Sequence, residues 1–168
     1  SNMPFDKSIL NNLNDIQVSE VLLALRFNSI LFETLKEQNK NIQKLYWENI
    51  SNHYYRVDDK DISYINWIIE QLIKYKQYMK AVSFISNLFY MMKTHELNLD
   101  INLLTKVLIE IEPNKERLDS HSIAKIIKFL QSSDLEFTKI QMLEWKYIKL
   151  NQVKPTHWEK DIILNPKT

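Results

Sequence analysis

Residues able to carry acid–base or metal chemistry are sparse in this chain. The four histidines are His53, His95, His121 and His157, and no two stand four apart, so the paired ligands of a zinc-binding helix are missing. His95 sits with Glu96 at an expected helix end, where an imidazolium gains from the helix dipole. His121 and His157 fall in expected first turns. Each reads as a surface or capping residue rather than a ligand or a base. His157, Glu159 and Asp161 are close in sequence, but neighbours two apart on a helix diverge by roughly 200° and share no face. The run Asp58-Asp59-Lys60-Asp61 has the acidity of a calcium loop without its turn glycine or its bidentate glutamate. It reads as a solvated loop whose last aspartate caps a helix.

Two absences remove whole classes of chemistry. The chain has no glycine and no cysteine. Phosphate-cradling loops, the dinucleotide fingerprint and the serine nucleophile elbow all need glycine. Disulfides, thiolate metal sites and cysteine nucleophiles need cysteine. The expectation is a chain that is not an enzyme and uses no cofactor or metal. The lack of cysteine also fits a cytoplasmic location. A net charge of +1 gives no strong footprint for a polyanion. No apolar run reaches the ~18 residues that would cross a bilayer, so no membrane partner is expected.

Aromatic and basic residues offer recognition rather than catalysis. Trp47, Tyr55, Tyr64 and Trp67 cluster around the second and third expected helices, and both tryptophans fall off the strictest apolar rows. Either they widen the buried face, which is the preferred reading, or they form a patch for a protein or peptide partner. The last third is mildly basic. Lys125 and Lys128 share one face of an expected helix, and Lys139, Lys146 and Lys149 share one face of the next. Such faces are usually solvated, and weak binding of nucleic acid phosphates through them is the alternative function.

The elements that must position these groups are helices. Ser1-Asn2 looks like the remnant of an expression tag ahead of an initiator or internal methionine, Met3, and residues 1–17 read as tag remnant and extension to a single domain over 18–168. Phe5, Ile9, Leu10 and Leu13 suit a short helix. One long helix is predicted from Val18 to Glu37, with Val21, Leu25, Phe32 and Leu35 on one row. A second helix is predicted after an Asn39 cap and carries Ile42, Leu45, Tyr46, Ile50 and Tyr54. A third starts after Asp61, and a fourth, from Met79 to Met92, has the widest apolar face and should be the most buried. Asp100, then Asp119 or Ser120, then Asp134 should cap the next three, the last of them burying Phe137, Ile140, Leu143, Tyr147 and Leu150. Pro113 should end the first of these three. Thr156-His157-Trp158-Glu159 reads as the capping box of a final helix. The result is an all-α fold of about eight helices in antiparallel hairpins, stacked as a short α-solenoid or an irregular bundle. Pair starts near Val18, Ile62, Ile101 and Leu135 are spaced within the roughly 34–47 residues usual for helical-hairpin repeats.

The segment Leu72-Ile73-Lys74-Tyr75-Lys76-Gln77-Tyr78-Met79-Lys80-Ala81-Val82-Ser83-Phe84 resembles the turn of a tetratricopeptide hairpin, with an aromatic ending one helix and a small alanine opening the packing of the next. The usual turn glycine is replaced by Lys76-Gln77. The other pairs depart from that consensus, so the likeness is to irregular TPR- or HEAT-like repeats. Separately, Leu143-Glu144-Trp145-Lys146-Tyr147, with Pro155 and Leu164-Asn165-Pro166, resembles a segment of large bacterial multidomain proteins of unassigned function. These resemblances imply a scaffold or protein-interaction domain, in the second case part of a larger protein. A piece cut from a larger protein should show an exposed apolar strip at one end, with Ile162, Ile163 and Leu164 the place to look.

Overall fold

The structure is a computed structural model, and it describes residues 5–51, 56–91, 97–112 and 119–149, with residues 148 and 149 described by their backbone alone. Among these residues the fold is all-α: eight α-helices, two short 3-10 turns and no strand. The helices are α1 (Asp15–Ala24), α2 (Ser29–Lys36), α3 (Lys40–Asn49), α4 (Ile65–Lys74), α5 (Tyr78–Met91), α6 (Ile101–Glu110), α7 (Ser120–Gln131) and α8 (Phe137–Lys149). The 3-10 turns are Lys7–Leu10 and Asp59–Tyr64. Tyr55, His53, His95, Pro113, the Thr156–Glu159 box and Ile162 to Leu164 lie outside the described residues, as does the side chain of Lys149.

The single helix expected from Val18 to Glu37 is two helices. Asn28 is extended, and its side-chain oxygen accepts from the Leu31 N–H at 3.3 Å, opening a new helix where the apolar rows run on without a break. The first helix also starts before Val18. Asn14 and Gln17 form a reciprocal capping box, each side chain bonding the other's backbone N–H. Leu10 is buried in the common core, so the segment before Val18 packs into the same domain as the helices after it.

Other caps fall where side-chain chemistry puts them. Asn39, Asp100 and Asp119 each accept backbone N–H bonds in the first turns of α3, α6 and α7. Asp61 does not cap α4. It lies inside the second 3-10 turn, 1% exposed, and α4 begins after Tyr64, which makes no side-chain cap bond. Nor does α8 begin at Asp134; its first residue is Phe137. Between α4 and α5, Lys76 takes the left-handed conformation at φ 58°. Its N–H bonds Ile73 O at 3.0 Å and the Gln77 N–H bonds Leu72 O at 2.7 Å, the two bonds of a Schellman cap. The lysine thus occupies the position where a glycine is normal.

From α4 onward packing joins each helix mainly to the next and the next but one, while α2 meets the second 3-10 turn. α1 lies on α3; α4 packs on α5 and α6; α5 packs on α6 and α7; α6 meets α7, and α7 meets α8. One core of Leu, Ile, Val and aromatic side chains runs through all of them. The most buried helix is α4 rather than α5: six of its ten residues are buried, against six of fourteen in α5, whose Tyr90 is 81% exposed.

Candidate functional site

Three places carry polar or apolar side chains that the core does not consume. The first is an aromatic box where α2 meets the second 3-10 turn and α4. Amphipathic α2 turns Phe32 inward and leaves Glu33 and Lys36 at the rim. Tyr64 ends the 3-10 turn and Trp67 lies in the first turn of α4, so a three-residue spacing sets them side by side. Their ring centroids are 6.3 Å apart with planes at 78°, two nearly perpendicular walls. Phe32, fully buried, lies 5.0 Å from Tyr64 and 5.7 Å from Trp67 between ring centroids. The Lys36 Nζ stands 4.9 Å from the Tyr64 centroid and 5.0 Å from that of Trp67. It also lies 3.3 Å from a Glu33 carboxylate oxygen. A cation held within about 6 Å of an aromatic face gains from the ring quadrupole.

Of the four aromatics expected to face core or partner, Tyr64 and Trp67 are half-buried and belong to this box. Trp47 is different. It is 0% exposed, packed edge-on against Tyr46 at 5.0 Å and Trp67 at 5.6 Å, so it is core and offers no ring to a partner. Its indole Nε1 has no hydrogen-bond partner, an unmet donor beside the box.

The second place is the junction of α6 and α8. The Lys146 Nζ donates to the backbone oxygens of Leu108, Ile109 and Ile111 at 2.8, 2.7 and 2.9 Å. Tyr147, 0% exposed, donates its hydroxyl to Leu108 O as well. Burial pulls the Lys146 ammonium below the usual lysine range, and the Glu110 carboxylate opposes that pull. Lys80 does the same for α3, donating to Glu48 O at 2.6 Å, its pKa likewise lowered by burial and opposed by Glu48.

Of the lysines expected to form a basic patch, Lys146 turns its ammonium to the C-terminal end of α6, where the last carbonyls lack helical partners. The Lys125 Nζ sits over the ring of Tyr90 at 4.8 Å. Lys128 and Lys139 are exposed. His121 is exposed in the first turn of α7, its backbone N–H bonded to Asp119. Among the described residues no group of three or more His, Asp or Glu side chains stands together as a metal ligand set.

The third place is the outer flank of α8. Ile140, Leu143 and Tyr147 are buried, while Phe137, Met142 and Trp145 are 65%, 50% and 54% exposed. Phe137, expected in the buried row, lies outside it, at the first residue of the helix. Trp145 and Met142 are legible in the sequence as large apolar residues off the main stripe. Lys36 is not, since only the fold brings α2 to Tyr64. No family model matches the chain, and neither a curated protein nor a solved structure is similar to it. Among the described residues no helix is long and apolar enough to cross a membrane.

Proposed function

We propose that the chain is a non-catalytic module of stacked helical hairpins, acting in the cytoplasm as part of a larger bacterial protein, that binds another protein through the outer flank of α8. The observation that supports this is the exposure of Phe137, Met142 and Trp145 on the last described helix. Large apolar side chains left exposed together on one helix are a usual mark of a protein contact. The packing order supports the stacked-hairpin reading: α4 and α5 lie on α6 and α7 helix for helix. In that order α8 stands where α4 and α6 stand, each of which receives the following helix. A helix is therefore the shape that fits the flank. Lys139, exposed on the same helix, favours a partner helix with an acidic edge.

The test combines footprinting with affinity. In the isolated chain, Met142 and Trp145 should oxidise readily under hydroxyl radicals, and both should be protected by an acidic-edged amphipathic helix that binds. Trp145→Ser should weaken that binding by about tenfold or more, the scale of an aromatic anchor, with the melting temperature unchanged. Protection of both residues in the isolated chain would mean that its own further residues cover the flank, and would overturn the proposal. Equal affinity in the Trp145→Ser variant would do so as well.

A further inference from the structure

We propose that the box of Tyr64, Trp67 and Phe32 is a binding site for alkylammonium cations, quaternary or methylated, and that Lys36 is its built-in resting occupant. Three features of the box carry this. Its walls are two electron-rich rings set nearly at right angles, so a cation in the corner sees both faces at once. The cation now there is about equidistant from the two centroids, at 4.9 and 5.0 Å. The third ring, Phe32, is fully buried and lies 5.0 and 5.7 Å from the two walls, so the corner is continuous with the apolar core.

The chemistry selects the class of ligand. Among the described residues Glu33 is the carboxylate placed on the bound ammonium, and it lies at the solvent side, with half of its side chain exposed. The walls offer faces, not hydrogen-bond acceptors. A primary ammonium loses water there and recovers little hydrogen bonding. A methylated ammonium has fewer N–H groups to leave unpaired and presents more polarisable surface to the rings, which is why aromatic boxes favour it. Lys36 fits as a tethered stand-in. Its side chain is 42% exposed, on the last turn of α2, so a rotamer change withdraws it without moving the helix. Tethering gives it an effective concentration on the order of millimolar, which a free ligand must outcompete. The box is thus closed to weak cations and open to one presented at a higher local concentration, such as a methylated lysine on a docked protein. It involves no part of α8, and its chemistry is independent of what covers that helix.

The probe is choline, set against its uncharged isostere in which a tert-butyl group replaces trimethylammonium. The readout is the Trp67 indole N–H resonance, identified by its loss in Trp67→Phe. In Lys36→Gln, which keeps most of the stem, choline should shift that resonance at millimolar concentration, and the unsubstituted chain should need about tenfold more. Lys36→Ala should respond like Lys36→Gln. Adding Tyr64→Ala to Lys36→Gln should weaken the response by about tenfold, and the isostere should leave the resonance in place. Equal shifts from choline and the isostere would overturn the proposal, since the corner would then be merely apolar. So would a silent resonance in a Lys36→Gln variant that melts like the parent, or equal choline affinity with and without Lys36.

Discussion

At the scale of single residues, lysines take unexpected roles in this protein. A sequence reading places Lys146 on a basic face, but its ammonium is spent on three carbonyls at the end of α6. Lys36 is spent on two aromatic faces and Lys125 on one. Hydrogen bonds from a charged donor contribute more than neutral ones, so Lys146→Met should lower stability by about 2 kcal/mol in urea unfolding, with Lys139→Met near zero as the control. If the two variants unfold alike, the Lys146 contacts are ornamental. Trp47 makes the converse point. Its distance from the apolar rows leaves core and surface both open in the sequence. Burial decides for core because Tyr46, Trp67 and Phe32 together form an aromatic seam that no single helix displays.

At the scale of elements, the legible features are those settled within one turn. Asn39, Asp100 and Asp119 are readable as caps because each needs only its own side chain and the next two or three N–H groups. Asp61 looks equivalent and is not: tertiary packing draws it into a 3-10 turn, where its Oδ2 is buried without a partner. The break before Ser29 escapes a sequence reading for the opposite reason, since apolar residues continue on both sides while the backbone turns extended at Leu25 and Asn28. The aromatic box is half legible, through Tyr64 and Trp67 but not Lys36. Two predictions belong here. Lys76 holds a left-handed backbone that costs a residue with a Cβ roughly 1 kcal/mol or more. Lys76→Gly should therefore raise stability by about 1 kcal/mol in urea unfolding, although glycine destabilises most helical positions. A loss would mean that the Schellman cap is not the native turn. The Asp119 carboxyl is held below its ordinary 3.8, chiefly by the Ser122 hydroxyl bond and also by the Ser122 and His121 N–H groups, with desolvation opposing them. A folded pKa below the unfolded one contributes stability that is complete above 3.8 and is lost as the pH falls through the lower folded value. Asp119→Asn keeps a capping oxygen without that titration. Its stability should fall less steeply than the parent's on acidification below 3.8, when thermal melts are compared across acid pH. Identical acid limbs would count against the cap as the source.

At the scale of the whole molecule, one core threads eight helices while their contacts stay between near neighbours in the chain. Polar ties obey the same rule. Asn66 at the start of α4 donates to Asn98 O at 2.7 Å and accepts from the Asp100 N–H at 2.9 Å, fixing the entrance to α6. Lys80 fixes the exit of α3 and Lys146 that of α6. Each of these ties joins residues 32 to 38 positions apart. Among the described residues α8 is the last helix, and its Phe137, Met142 and Trp145 stay exposed. This arrangement also bears on how quickly the fold is reached. Contacts between near neighbours give a low contact order, and chains of that kind cross their folding barrier in microseconds to milliseconds. With little loop entropy to overcome before the first contacts form, a helix can dock as soon as its near neighbour in the chain exists. The fold can then grow stepwise along the chain, with no distant segment needed to complete the core already laid down.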